Sequence, residues 1–281
     1  MIIGVIGLGL IGGSIAKSIK LHTDHTVLGY DLSPTVIHKA KLVGAIDGPL
    51  QEEDISRCDM MFIAIYPGDT VAFVQQNANR FKPGAIILDA CGVKRQVCRP
   101  LQSLMENAGF LFIGAHPMAG REFSGFEYSQ ENLFASASMI LTPYAGTSIA
   151  TVDNVKKFCL QIGFGSVVVT SDDDHDHLIA YTSQLAHVVS NAYVKSPSSR
   201  RHKGFSAGSY RDLTRVAKLN EEMWSQLFLC NSDYLVEELD GLMQNLALYR
   251  KALAEGDAET LRRLLREGRE IKELVDQPEA E

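Results

Sequence analysis

The sequence predicts a doubly wound α/β domain over residues 1–170, followed by an all-helical domain over residues 171–281. Three observations predict it. Short β-rich runs alternate with helical stretches through the first 170 residues. The runs are almost continuously apolar, as strands covered on both faces of a parallel sheet must be. After Thr170 the strand signals stop and long helical patterns take over.

In chain order the strands fall at 2–6, 26–30, 60–65, 85–89, 110–114, 139–142 and 166–170. Helices lie between them, including 34–43, which Ser33 opens as an N-cap, and 97–107. Strand alternating with helix is the pattern of a doubly wound sheet. In the second part, helices are expected at about 173–194, 221–254 and 258–275, with a polar, basic loop over 196–204 after the first. The Lys/Glu/Arg-rich pattern from Glu255 onward reads as the solvated face of a packing helix.

Composition narrows the function classes. Of 281 residues, 46% are apolar and 22% charged, and the formal net charge is −7. That balance argues against a general nucleic-acid binder or a binder of anionic membranes, which need clustered positive charge. It leaves room for a small anionic substrate held by a local field. The cysteines Cys58, Cys91, Cys98, Cys159 and Cys230 are odd in number and lack a C-x-x-C spacing, so they read as free thiols. The apolar start of the chain has no basic segment and is shorter than the about 20 apolar residues a bilayer span needs. A cytoplasmic location is the expectation.

The loop Gly7-Leu8-Gly9-Leu10-Ile11-Gly12 has the context a dinucleotide fingerprint requires, following one predicted strand and opening a helix. Gly7 permits a tight turn, Gly9 lets the backbone approach a pyrophosphate, and Gly12 allows close helix–strand packing. The helix N-terminus then favours the phosphates. A second strand ends at Asp31, 19 residues after Gly12, where the ribose-binding carboxylate belongs. The alternative is a plain glycine turn, with Asp31 capping the next helix. Leu32, Ser33 and Pro34 follow, with no Arg or Lys for a 2′-phosphate, so NAD is expected rather than NADP. The N-terminal domain is thus a Rossmann-type sheet.

His116 follows the strand at 110–114 and lies where such a sheet places its chemistry. Its ordinary pKa of ~6.5 suits a base near neutrality. On position alone it serves equally well as a structural loop residue. The acidic run Asp172-Asp173-Asp174-His175-Asp176-His177 resembles a metal site, but helix capping and the helix dipole account for it, and no metal is expected.

Five segments in order carry a more specific signal: Gly-Leu-Gly-Leu-Ile-Gly-Gly-Ser at 7–14, Asp-Ala-Cys-Gly-Val-Lys at 89–94, His-Pro-Met-Ala-Gly-Arg-Glu-Phe-Ser-Gly at 116–125, His-Asp-His-Leu-Ile-Ala-Tyr-Thr-Ser-Gln-Leu-Ala-His at 175–187 and Tyr-Arg-Asp-Leu-Thr-Arg-Val-Ala at 210–217. Together they resemble the prephenate/arogenate dehydrogenase family of tyrosine biosynthesis, from residue 1 to about 250.

The resemblance implies NAD-dependent oxidative decarboxylation of prephenate to 4-hydroxyphenylpyruvate, with arogenate as the alternative substrate. It makes His116 the group that bonds and helps deprotonate the ring hydroxyl. It makes Arg215 the carboxylate-binding arginine, whose planar fork suits bidentate pairing. Arg211, one helical turn earlier, is the runner-up, or a surface ion pair. Trp224 falls near the substrate or in the core. Ser183 and His187 share a helix face that Asn191 extends, with helix packing as the alternative for His187. Glu122 and Ser124 look like pocket residues. A homodimer through the helical substrate-binding domain is implied as well.

Two departures stand out. Gly92 occupies a position where the family often has a serine assisting the catalytic histidine, leaving backbone, water or Cys91 to substitute. Ala186 replaces a usual proline, which predicts a more regular helix. No mutase segment is expected before residue 1 and no regulatory domain after the helices, so feedback by tyrosine would act at the active site. The competing readings are a 3-hydroxyacid dehydrogenase or imine reductase, disfavoured because the comparable helix pair is His187 and Asn191 without a lysine, and a non-catalytic NAD sensor.

Overall fold

The computed structural model describes residues 1–105, 108–120 and 123–277. Its centre is an eight-stranded sheet: β1 Ile2–Ile6, β2 Thr26–Tyr30, β3 Gly48–Pro49, β4 Met60–Ile63, β5 Ile86–Asp89, β6 Leu111–Pro117, β7 Ser138–Pro143 and β8 Ser166–Val169. The spatial order is β3-β2-β1-β4-β5-β6-β7-β8. Every neighbouring pair is parallel except β6–β7, so β7 and β8 run against the other six. The short edge strand β3 has no counterpart in the predicted series, because two residues carry no readable alternation.

Five helices cover the sheet: α1 Leu10–His22, α2 Pro34–Leu42, α3 Pro67–Asn77, α4 Arg95–Met105 and α5 Ile149–Gln161. Two apolar cores result. One packs Ile15 and Ile19 of α1 and Val155 and Phe158 of α5 against Ile3, Val5, Met139 and Leu141. The other packs Val74 of α3 and Val97 and Leu101 of α4 against Met61, Ile63 and Ile87. Burial on both faces is why these strands read as unbroken apolar runs.

The strand order reverses between β1 and β4, and the crevice at that switch point is where doubly wound sheets bind ligands. Since β1, β2, β4, β5 and β6 are parallel, the glycine loop, Asp31, Asp89 and His116 all lie toward one edge.

Beyond the sheet come α6 Asp172–Ile179, a π-helical segment Ala180–Leu185, α7 Ala186–Tyr193, α8 Gly208–Thr214 and α9 Glu221–Cys230. The pair α10 Ser232–Glu255 and α11 Ala258–Val275 follows. The chain falls into two compact units, Met1–Asn231 and Ser232–Glu281, so α6 to α9 belong with the sheet. The second unit is a helical hairpin in which the Tyr249 hydroxyl donates to the Leu264 carbonyl and Asp257 caps α11. No helix among the described residues is long and apolar enough to cross a membrane.

The helix expected to be regular at Ala186 is not. A π-helical turn interrupts it at 180–185 without any proline. One cause is visible: the His187 ring, through Nδ1, bonds the Ser183 carbonyl at 2.8 Å and so intrudes on the helix's own hydrogen-bond ladder.

Candidate active site

The glycine loop is shaped by contacts that only glycine permits. Gly7 has φ +82°, and a Cβ there would lie 2.4 Å from the Ala64 carbonyl oxygen. A Cβ on Gly12 would lie 1.9 Å from the Gly7 carbonyl oxygen. Gly9 differs, because a Cβ there meets nothing within 4 Å. Its glycine thus keeps space clear in front of the N-terminus of α1, where a pyrophosphate fits. Leu8 is fully buried, while Leu10 and Ile11 are partly exposed in the first turn.

Asp31 directly follows β2, and its Oδ2 accepts the Leu8 N–H at 2.9 Å while Oδ1 accepts the Ser33 N–H at 2.9 Å. The carboxylate is thereby fixed beside the loop, with lone pairs remaining for two ribose hydroxyls. Donor-lined helix end, open Gly9 and anchored carboxylate together fit NAD.

His116 sits at the end of β6, half-buried, and is the first member of a chain of three side chains. Its Nδ1 lies 2.9 Å from His175 Nε2, and His175 Nδ1 lies 2.7 Å from Asp176 Oδ1. Asp176 is fully buried and also accepts the Lys94 N–H at 2.7 Å, the Arg95 N–H at 2.9 Å and Arg95 Nε at 3.2 Å. Burial alone would raise its pKa, but the bonds from His175 and the two backbone N–H groups outweigh that and hold it below the usual carboxylate value.

These partners fix the protonation pattern. Asp176 is a carboxylate, so His175 Nδ1 must donate to it. His175 is held neutral, chiefly by burial, so its Nε2 is an acceptor. His116 Nδ1 must then carry a proton and donate. Burial first, then His175 and Lys94, hold His116 well below the ordinary imidazole value, so its Nε2 is an unprotonated acceptor. That nitrogen faces Gly92, where a Cβ would lie 3.8 Å away. The site therefore presents one oriented base atom.

Lys94 and Asp89, both fully buried, form an ion pair behind this base. Lys94 Nζ donates to the Ala115 carbonyl at 2.6 Å, and Asp89 Oδ1 accepts the Ala115 N–H at 2.8 Å. The residue immediately before His116 is thus held at both its backbone polar atoms.

The second cluster comes from α7, α8 and α9. Ser190 Oγ donates to the Leu213 carbonyl at 2.7 Å, and Asn191 Nδ2 to the Ala217 carbonyl at 3.0 Å. These bonds pin the segment carrying Arg215 against α7. Arg215 is close enough to His187 to add to the lowering of its pKa, which burial dominates. The Trp224 ring stacks on His187 with centroids 4.0 Å apart. Because His187 Nδ1 donates to Ser183, its Nε2 is the available acceptor.

Of the residues singled out from sequence, the structure gathers His187, Arg215 and Trp224, with Ser183 contributing its backbone. Asn191 serves packing rather than extending a polar face. Arg211 is exposed on α8, and Ser124 is exposed in the loop after β6, with no hydrogen bond to the others among the described residues. Glu122 lies outside the described residues. Cys91 does not stand in for the family serine: its buried thiol turns to Thr70 Oγ1 and the Ile65 carbonyl, each at 3.5 Å. Burial pushes that thiol far above its usual pKa. His116 instead takes its support from His175.

Sequence reasoning passed over His175, Asp176, Lys94, Asp89 and Asn231. The acidic run was explained by capping, and Ser171 is indeed the cap, accepting the Asp174 N–H at 3.0 Å. The missed signal was an adjacent His-Asp pair on the inward side of a helix that is otherwise acidic. Among the described residues no group of three or more His, Cys, Asp or Glu is arranged to hold a metal ion.

The model of the prephenate dehydrogenase nucleotide-binding domain matches residues 15–169, and that of the prephenate dehydrogenase dimerization domain matches residues 171–267. The chain belongs to the prephenate dehydrogenase family. Cyclohexadienyl dehydrogenase of Zymomonas mobilis is 31% identical over 268 residues, covering 92% of this chain and 90% of that protein. Prephenate dehydrogenase of Aquifex aeolicus, solved with hydroxyphenyl propionate and NAD⁺, superposes with a TM-score of 0.86 at 27% identity, covering 98% of both chains. Arogenate dehydrogenase of Synechocystis gives a TM-score of 0.82 at 25% identity, covering 98% of this chain and all of that one. Family membership displaces the hydroxyacid dehydrogenase reading, to which only the fold is related. The glycine loop precedes the matched segment, so its role rests on its own geometry.

Proposed function

We propose that the chain catalyses NAD-dependent oxidative decarboxylation of prephenate to 4-hydroxyphenylpyruvate, in tyrosine biosynthesis, with His116 as the base. The observation that carries this reading is the oriented nitrogen His116 Nε2, backed by His175 and Asp176 and on the same sheet edge as the glycine loop. Bound NAD⁺ supplies the hydride acceptor.

His116 Nε2 accepts the ring hydroxyl proton as the carbon bearing that hydroxyl loses its hydride. The ring carboxylate leaves as CO₂, its bonding electrons complete the aromatic ring, and the phenolate oxygen takes its proton back from His116. The imidazolium that forms is stabilised through His175 by the Asp176 carboxylate. Arg215 holds the dianionic substrate, the stacked His187 and Trp224 rings wall its site, and Gly7 to Gly12 with Asp31 hold the cofactor. Aromatisation makes the step strongly downhill, so orientation and one proton acceptor are most of what the protein must provide.

We divide these tasks at residue 170, with cofactor binding over 1–170 and substrate binding and dimerisation over 171–281. A homodimer agrees with the exposed Val236, Met243, Leu265 and Ile271 on the C-terminal helices. Five unpaired cysteines agree with a reducing, cytoplasmic setting.

The deciding experiment is steady-state turnover of His116→Ala with prephenate and NAD⁺. Loss of kcat by about 10²- to 10⁴-fold is expected for removal of a general base. Parental turnover in the variant would overturn His116 as the base, whereas no turnover by the parent enzyme itself would favour an NAD sensor. The likeness to an arogenate dehydrogenase supports arogenate as the second substrate reading. Competing the two substrates for one enzyme pool ranks them by kcat/KM.

A further inference from the structure

Asn231, the residue that ends α9, is fully buried, and its side-chain amide reaches three other parts of the fold. Nδ2 donates to the Asp176 carbonyl at 2.8 Å and to Gln184 Oε1 at 2.9 Å. Oδ1 accepts Arg95 NH2 at 2.7 Å, and that guanidinium reaches the Asp176 carboxylate through Nε. Both amide protons are thus committed, and Asp176 is gripped at its backbone directly and at its carboxylate through Arg95.

The helix that Asn231 closes is the one that covers the site. It carries Trp224, stacked on His187, and Leu227, whose side chain lies 3.8 Å from the position of a Cβ on Gly92, beside His116. Gln184 Nε2 donates to the Leu227 carbonyl at 3.2 Å, so the π-helical segment holds α9 at a second point.

We propose that Asn231 is a positioning residue that couples the His116–His175–Asp176 chain to α9, so that one side chain sets both the base and the aromatic wall of the substrate site. A shift of α9 that moves Trp224 then moves Asp176, and a buried network with every member satisfied transmits such a shift instead of absorbing it. This rests on His116 being the base. The titratable and charged groups around that base are His175 and Asp176 from α6, Asp89 from β5, Lys94 and Arg95 where α4 begins, and Cys230 from α9.

The test uses the full chain with Asn231→Leu, which keeps the branched side-chain skeleton and removes all three bonds. Asn231→Asp is its companion, keeping the shape and the acceptor for Arg95 but adding a second carboxylate behind Asp176. Measured are kcat and KM for prephenate, the pH profile of kcat/KM, and NAD⁺ affinity by fluorescence. For Asn231→Leu we expect kcat to fall and KM to rise together, by up to about 100-fold in kcat/KM, with NAD⁺ affinity unchanged. For Asn231→Asp the acid limb of kcat/KM moves to higher pH, because the added negative charge favours the protonated histidine pair. In the His175→Ala background, Asn231→Leu still raises KM but no longer lowers kcat.

If Asn231→Leu does not fold, Asn231→Asp decides alone. A parental acid limb in Asn231→Asp, or a full kcat loss from Asn231→Leu in the His175→Ala background, overturns the coupling. Activity surviving in His116→Ala overturns the base assignment instead, so the two failures are distinguishable.

Discussion

Glycines at 7, 9 and 12 form one motif, yet the structure separates their roles, and single methyl groups test the separation. Gly12→Ala drives a Cβ into the Gly7 carbonyl oxygen, so it should lower Tm; overpacking of this kind costs about 1–3 kcal/mol or more. Gly9→Ala meets only open space, so Tm should hold while NAD⁺ affinity drops. Equal Tm losses in both would show that Gly9 serves packing, not the cofactor. Lys94 offers a second test. Lys94→Met removes a cation that depresses His116, so the acid limb of kcat/KM should move to higher pH. It also strands Asp89 in the core, and breaking a buried pair from one side costs about 3–5 kcal/mol. Asp89→Asn added to Lys94→Met should recover much of that stability while leaving the pH limb displaced. The cofactor loop was legible because its residue types follow from local backbone sterics. The His116–His175–Asp176 chain was not, because 59 residues separate its histidines and no local pattern announces their meeting.

Among the elements, the π-helical segment has the most specific consequence. A π turn holds one more residue than an α turn and therefore rotates whatever follows it. Here it sets the phase between the first part of the helix, which carries His175 and Asp176, and the second, which carries His187. Deleting Thr182, an exposed residue of the segment, should restore an α-helical ladder and turn His187 away from Trp224. KM for prephenate should rise, while the acid limb set by His116 stays in place. An unchanged KM would show that His187 and Trp224 do not contact the substrate. The sequence identified this helix by its period but could not show the extra residue, since nearly the same apolar spacing supports either ladder. The sheet was more legible, because strands covered on both faces have no polar positions to blur them. Only β3 escaped, being two residues long.

At the scale of the whole molecule, keeping a base neutral inside a fold links activity to stability. His116, His175 and His187 all titrate lower in the folded protein than the ~6.5 of an unfolded histidine. Between the folded and unfolded values the unfolded chain binds more protons, so stability falls as pH drops below about 6.5. Asp176, held low in the fold, adds a further loss at more acid pH, once its carboxylate is protonated and the bonds from His175, Lys94 and Arg95 no longer meet a full charge. Tm measured from pH 7.5 to 2.5 should therefore decline first through the histidine range and again below about pH 4, where the unfolded carboxylate takes up its proton. His116→Gln, with no ionisable ring, should show a shallower first decline than the parent, even though it lacks the base. A parent Tm that is flat from pH 7.5 to 5 would mean that these histidines are charged in the fold. That result would undercut the neutral His116 Nε2 on which the proton transfer depends.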